Sequence, residues 1–239
     1  MKALFAILLI GVLCATGAAA NEYANIHVVG VISAIGDHIS MTKTGITVLG
    51  NGGYKFPTSD WGIDAMVTRQ IADALAPRFT VRKIEADVSE IREPDDRTEE
   101  MSGFIRHALP PAGDIDAYVI VYKYRCLQAC GATPFRLFGL GFSHHQPLLG
   151  LTNDKLYAFY RVAVVDARTL RTIDVGTAEF QTRWGPASPY GDIASSAWED
   201  EIENLTPEQQ DAIKAAMMPM VQKSLSGALV NAHLVPPRE

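Results

Sequence analysis

The stretch Tyr157–Val165 constrains this chain more than any other. It reads Tyr-Ala-Phe-Tyr-Arg-Val-Ala-Val-Val, nearly continuous in apolar, β-favouring side chains. Both alternating sets are apolar apart from Arg161: Ala158, Tyr160, Val162 and Val164 in one, Tyr157, Phe159, Ala163 and Val165 in the other. A strand of this kind must be covered on both faces, which predicts a central place in a layered sheet. Asp166-Ala167-Arg168-Thr169 follows as a tight turn, with the Asp166 carboxylate placed to accept a backbone N–H two residues on. The return strand is expected over Leu170–Arg183. Its apolar phase changes between Ile173/Val175 and Ala178/Phe180, so Gly176 is expected to mark a β-bulge.

The rest of the chain alternates strands with helices. Asn25–Ile35 is an apolar run of strand length, broken by Gly36-Asp37. His38–Thr42 and Ile46–Leu49 are expected to form a small hairpin around Lys43-Thr44-Gly45, closed by a turn at Gly50-Asn51-Gly52-Gly53. No Gly-Lys-Ser/Thr follows these glycines, which argues against a phosphate-cradling loop. Asp60 is expected to cap a helix running to Ala76, with Ile63, Met66, Val67, Ile71 and Leu75 on its apolar stripe and Pro77 ending it. Phe79–Ile84 reads as a strand, Glu85–Arg97 as an exposed loop, Thr98–Leu109 as a second helix, and Asp116–Arg125 as a strand buried on both faces. Thr206-Pro207-Glu208-Gln209 opens a long last helix with a capping box, and Pro219 inside it is expected to kink it. The fold class is therefore α/β: a mixed sheet with parallel strand–helix–strand units plus an antiparallel hairpin, helices packed on it, and a long C-terminal helix. One domain is expected over residues 21–235, followed by a frayed tail at 236–239.

The first residues give an address. Lys2, the apolar run Leu4–Leu13 and Ala18-Ala19-Ala20 form the pattern of a secretory signal, expected to be cleaved near Ala20. Cys14 would anchor the chain to a membrane if lipidated, but Leu13 stands before it where lipoprotein processing wants a small residue. A periplasmic or secreted product is expected, with membrane association only through a lipidated Cys14. Lys and Arg number 21, or 20 without Lys2, against 27 Asp and Glu, leaving about −7 on the mature chain. An acidic chain with interspersed charges is a poor partner for nucleic acid. No motif calls for a cofactor.

Candidate chemistry gathers in the Gly-rich segment Cys126–Asp154, read as a long irregular connection. In an oxidising compartment the Cys126/Cys130 pair favours a disulfide closing a short loop. The sharper alternative adds His144 and His145 as ligands, since thiolates with imidazoles suit copper or zinc. Gly141-Phe142-Ser143-His144-His145 superficially matches a nucleophile motif, but His145 replaces the second glycine and no helix follows, so a solvated loop is expected. Nothing in the sequence names a carboxylate to orient either histidine. Arg161 is expected to pair with Glu179 on the return strand, because burying a lone charge is expensive. Trp61, Trp184 and Trp198 are read as core or cover residues, Trp184 as the most exposed.

The export signal, the segment VVGVISAIGD, the helix opening DWGIDAMVTRQIADAL and the hairpin YRVAVVDARTLRTID together resemble a group of periplasmic α/β envelope domains. That group includes the amino-terminal domain of TolB, the curli-secretion protein CsgG and the penicillin-binding-protein activator LpoB. The resemblance lies in element order over most of the mature chain, and implies a non-enzymatic module that works through contacts with envelope proteins. It supplies no functional residue. The chain departs from the group in lacking a lipidation signal of the usual form and in carrying the Cys/Gly/His segment. The alternative function is a hydrolase or metal-binding protein using Cys126–His145.

Overall fold

The structure is a computed structural model that describes residues 23–45, 52–86, 91, 108–126, 137–145, 153–183, 185–193 and 205–237. In chain order the first elements are β1 (Val28–Ala34), β2 (His38–Thr44), β3 (Gly52–Pro57), a 3₁₀ turn at Ser59–Trp61, α1 (Ile63–Leu75) and β4 (Thr80–Lys83). There follow β5 (Ala117–Lys123), β6 (Arg125–Cys126), β7 (Leu137–Phe138), β8 (Leu140–His145), β9 (Asn153–Ala158), β10 (Tyr160–Asp166) and β11 (Thr172–Thr177). β12 (Phe180–Thr182), β13 (Gly185–Ala187), β14 (Tyr190–Asp192) and α2 (Pro207–Asn231) complete the series.

The strands build two five-stranded sheets, ordered β11–β10–β5–β1–β4 and β14–β9–β8–β2–β3. In the first, β1 runs parallel to β4 and β5, and β10 is antiparallel to both β5 and β11. In the second, β2 and β8 are parallel and the other neighbours antiparallel. This is the expected α/β class, with mixed sheets and a long C-terminal helix. β5 is buried at all seven positions, as its two-sided apolar pattern requires. One large apolar core joins residues of both sheets, including Val31, Val119, Val162, Phe142 and Leu156, to the inward stripes of α1 and α2.

Tyr157–Val165 is not one strand. The chain leaves the second sheet at Ala158 and enters the first at Tyr160, and Phe159 sits at the corner. Its N–H donates to the Gly139 carbonyl at 2.8 Å and its carbonyl accepts from Tyr124 N–H at 3.2 Å. Two-sided burial, which suggested one central strand, instead marks a segment that is interior in two sheets in succession. The Asp166 turn forms as expected: Oδ1 accepts from Arg168 N at 3.0 Å, Thr169 N at 2.7 Å and Thr169 Oγ1 at 2.8 Å.

Gly176 is not a bulge. It pairs in register with Val162, and the irregularity lies between Val164 and Val165, where Ile173 is the extra residue. What glycine provides at 176 is room for α2: a Cβ there would lie 1.9 Å from the Ala228 carbonyl oxygen. Gly227 meets the chain from the helix side, its own Cβ position 2.2 Å from the Glu179 carbonyl oxygen.

Three further expectations change. β2 pairs with β3, not with Ile46–Leu49, and Gly52 and Gly53 lie in β3 rather than in a turn; residues 46–51 lie outside the described ones. α1 starts at Ile63 behind a left-handed Gly62, without a capping side chain, so Asp60 is not its cap. The Cys126–Asp154 connection contains all of β8 and the start of β9 rather than being irregular throughout. The capping box of α2 is present in both directions, Thr206 N to Gln209 Oε1 at 2.8 Å and Gln209 N to Thr206 Oγ1 at 3.3 Å. The expected second helix lies outside the described residues except for Ala108 and Leu109, which pack in a smaller core on the other face of the first sheet.

Candidate functional site

Two clusters of titratable side chains stand out within this frame, the first part-exposed and the second buried. The first lies where the chain turns from β1 into β2. β1 and β5 run parallel and end side by side, so Asp37 and His38, following β1, meet Lys123, which closes β5. Carboxyl ends of adjacent parallel strands are where open α/β sheets usually gather polar groups. The Lys123 side chain is 5% exposed, and its ammonium donates to Asp37 Oδ1 at 2.5 Å and the His38 carbonyl at 2.6 Å. Its stem fits because Gly139, at φ +65°, has no Cβ; one would stand 2.6 Å from Lys123 Cδ. His38 Nδ1 lies 2.6 Å from Asp37 Oδ2. An ionised carboxylate only accepts, so this ring nitrogen carries the hydrogen. His38 Nε2 is buried and has no partner among the described residues.

The electrostatics follow from this packing. Partial burial pushes the Asp37 carboxyl up, but hydrogen bonds from His38 and Lys123 and the Lys123 charge outweigh it and hold the group well below the usual carboxylate range. Burial lowers Lys123 from its ordinary value, and the Asp37 bond and charge offset only part of that. Beside the cluster, the Asp64 carboxylate on α1 ties the helix to the corner. Its Oδ1 accepts from Ser33 Oγ at 2.6 Å, Ile35 N at 2.9 Å and Gly36 N at 3.1 Å.

The second cluster lies on β8 and β9. His144 and Asp154 are cross-strand partners, with Nδ1 and Oδ1 2.5 Å apart and side chains 6% and 5% exposed. A carboxylate bonded to Nδ1 is the arrangement that orients imidazoles in hydrolase triads and metal sites. Among the described residues, however, Asp154 Oδ2 is buried without a partner, as is Ser143 Oγ. Strand alternation puts Ser143 on the opposite face of β8 from His144, so the two do not form a nucleophile–base pair. His144 shares the face of Leu140 and Phe142, which belong to the main core. Cys126 packs with Tyr124, Leu137, Tyr157 and Phe159 in a separate cluster on the other face. The fold thus separates Cys126 from His144. Ser143 and His144 are buried in a strand, not solvated in a loop.

Cys126 is not without a partner. Cys130 and the side chain of His145 lie outside what is described, as do Trp184, Trp198 and the expected signal segment. Among the described residues no group of three or more His, Cys, Asp or Glu comes together as a metal site would require. Arg161 does not pair with Glu179: its guanidinium lies 4.5 Å from the Tyr124 ring centroid, and the Glu179 carboxylate accepts from Asn231 Nδ2 at 2.9 Å. Trp61 is a core residue, 6% exposed. The corner cluster was missed in the sequence, where Gly36-Asp37 reads only as a break. The available signal was an Asp-His pair directly after a buried strand and a lysine closing another.

No family model matches the chain, and no curated protein matches it. Among solved structures, protein XCC0632 from Xanthomonas campestris, of the family DUF330, is similar at 8% identity with a TM-score of 0.29, covering 87% of this chain and 88% of that one. The hypothetical protein CT253 from Chlamydia trachomatis is similar at 11% identity with a TM-score of 0.28, covering 86% and 94%. Likenesses at these scores carry no argument about this chain.

Proposed function

We propose that this chain is an exported, non-enzymatic interaction module of the cell envelope, working in the periplasm or outside the cell through contacts with other envelope proteins. The observation that carries the reading is an open sheet edge: β3 is exposed at Gly53, Tyr54, Lys55 and Pro57, partly buried at Gly52 and Phe56, and, among the described residues, pairs with β2 alone. Edge strands left open are common docking elements for other chains. The signal-like start supports the location. So does the position of Tyr23, two residues beyond the proposed new N-terminus at Asn21: it is 3% exposed, and its hydroxyl donates to the Ala232 carbonyl at 2.7 Å. The proposed Cys126–Cys130 disulfide fits the same compartment. Crosslinking in intact cells followed by mass spectrometry tests the reading. Recovery of envelope proteins is expected; none under several growth conditions would overturn it.

A second reading, an enzyme or metal-binding protein using Cys126–His145, draws on the His144–Asp154 contact. Purified protein titrated for thiols and assayed for bound metal separates the two. No free thiol and no stoichiometric metal fits the first reading, and reactive thiols with bound zinc or copper fit the second.

A further inference from the structure

We propose that β3 is the docking strand, and that its partner is a short extended segment of another protein, apolar on one side and acidic on the other. The inference rests on the interaction-module reading and names the partner's chemistry. It comes from comparing the four edges of the two sheets. Natural sheets protect their edges with short strands, charges, bulges or covering elements. β14 has three residues. β4 has four, two of them Arg82 and Lys83, with Arg82 paired to Asp114 at 2.6 Å. β11 carries the irregularity at Ile173 and is held by α2, through Asn231 Nδ2 to the Thr177 carbonyl at 3.1 Å.

β3 is different. It has six residues in unbroken register with β2, and only Lys55 and the terminal Pro57 oppose edge pairing. An open edge of backbone N–H and C=O groups is complementary to an extended backbone, which selects a strand rather than a helix or a small molecule. The side chains specify the rest. Tyr54 and Phe56 share one face of β3 by alternation; Tyr54 is 40% exposed and Phe56 packs on Trp61 with ring centroids 6.2 Å apart. Lys55 projects alone to the opposite face and is exposed. A partner strand would lay apolar residues beside Tyr54 and place a carboxylate near Lys55. Self-pairing of β3 about a two-fold axis would instead bring Lys55 towards its own copy, a like-charge approach that disfavours a second copy of this chain.

The test uses full-length protein carrying a photoreactive residue in place of Tyr54 or, separately, of Val175, the other exposed large apolar side chain among the described residues. In intact cells, Tyr54 probes should give an adduct that Lys55→Glu abolishes. In vitro, a short synthetic peptide alternating valine with glutamate should bind the purified protein, and Lys55→Glu should weaken it about tenfold and favour the valine–lysine counterpart. An adduct from Val175 but not from Tyr54 overturns the β3 inference and leaves the interaction-module reading standing. Adducts from neither position overturn both. A Tyr54 adduct consisting of a second copy of this chain overturns the assigned partner. Circular dichroism of Lys55→Glu establishes that a loss of binding is not a loss of fold.

Discussion

The two sheets are built from similar strands but handle polarity differently. At the centre of the first, β1, β5 and β10 present apolar side chains to both faces, and the buried ammonium of Lys123 sits at a strand end with two acceptors within 2.6 Å. The second holds His144 and Asp154 inside its strands and, among the described residues, has one carboxylate oxygen unbonded and β3 open. The first sheet therefore has the marks of a scaffold, whereas the second carries the incompletely satisfied groups and free surface that stability alone does not favour.

The largest expected effect tests how tightly the first sheet is tied to its helix. In Gly176→Val the new Cβ would meet the Ala228 carbonyl oxygen 1.9 Å away and the Ala232 nitrogen 2.6 Å away, both backbone atoms. A loss of about 3 kcal/mol or more is expected by urea denaturation. Gly53, on the edge of the second sheet, has none of the described residues within 4 Å of its Cβ position, and Gly53→Ala should be neutral or slightly stabilising. Equal costs at the two positions would erase the contrast.

Next in size is Asp37→Asn, which leaves the Lys123 ammonium buried without its carboxylate. The Asp37 side chain is 57% exposed. Water screening therefore reduces the cost of breaking a fully buried pair, and about 1–3 kcal/mol is expected at pH 7. The pH dependence identifies the cause. A carboxyl held below its ordinary 3.8 contributes stability above that pH and loses it as pH falls through the lowered value, so the gap between parent and variant should close in acid. On the alkaline side, a lysine lowered from 10.5 costs stability while protonated. Without Asp37 it sheds its proton at lower pH, so the variant should recover as pH rises towards 10.5. A gap constant across the range would mean that the corner works by shape rather than charge.

The second sheet should respond differently. His144→Leu combined with Asp154→Leu is expected to stay within about 1 kcal/mol of the parent, since a buried hydrogen-bonded pair replaced at both partners by apolar residues is often nearly neutral. Asp154→Leu alone removes the acceptor of His144 Nδ1 and should cost about 1–2 kcal/mol. A double variant losing much more would show that the pair is worth more to this sheet than its unsatisfied oxygen suggests.

What was legible in the sequence follows the same division. Apolar periodicity located β1, α1, β5 and α2, because burial of a regular element dictates its own spacing. It misplaced the partner of β2, since Ile46–Leu49 alternates well while Gly52–Pro57 pairs, and a strand rich in glycine gives little hydrophobic signal. It fused β9 with β10, because a segment interior to two sheets in turn looks like one long strand. The Asp37–His38–Lys123 cluster depends on two strand ends separated by 85 residues meeting through parallel pairing, and no local pattern encodes that meeting. His144 was singled out by type, but Asp154, its orienting carboxylate, becomes its neighbour only through the β8–β9 register.

The smallest loss expected from a single substitution is at the start of α2, the helix that spans both sheets. Near its middle Met220 lies against Gly191 of the second sheet, and toward its end Ala228 lies against Gly176 of the first. Thr206 accepts the Gln209 N–H and closes the capping box. Thr206→Ala leaves that N–H to water and should cost about 1 kcal/mol. The loss should stay local. Amides of the first turn, Gln209 and Gln210, are expected to exchange faster, while those of Val221–Leu229, packed with Tyr160 and against Gly176, keep the protection of global unfolding. Uniform acceleration along α2 would show that the helix binds the two sheets into one cooperative unit, and the distinction between them would then apply to their chemistry but not to their stability.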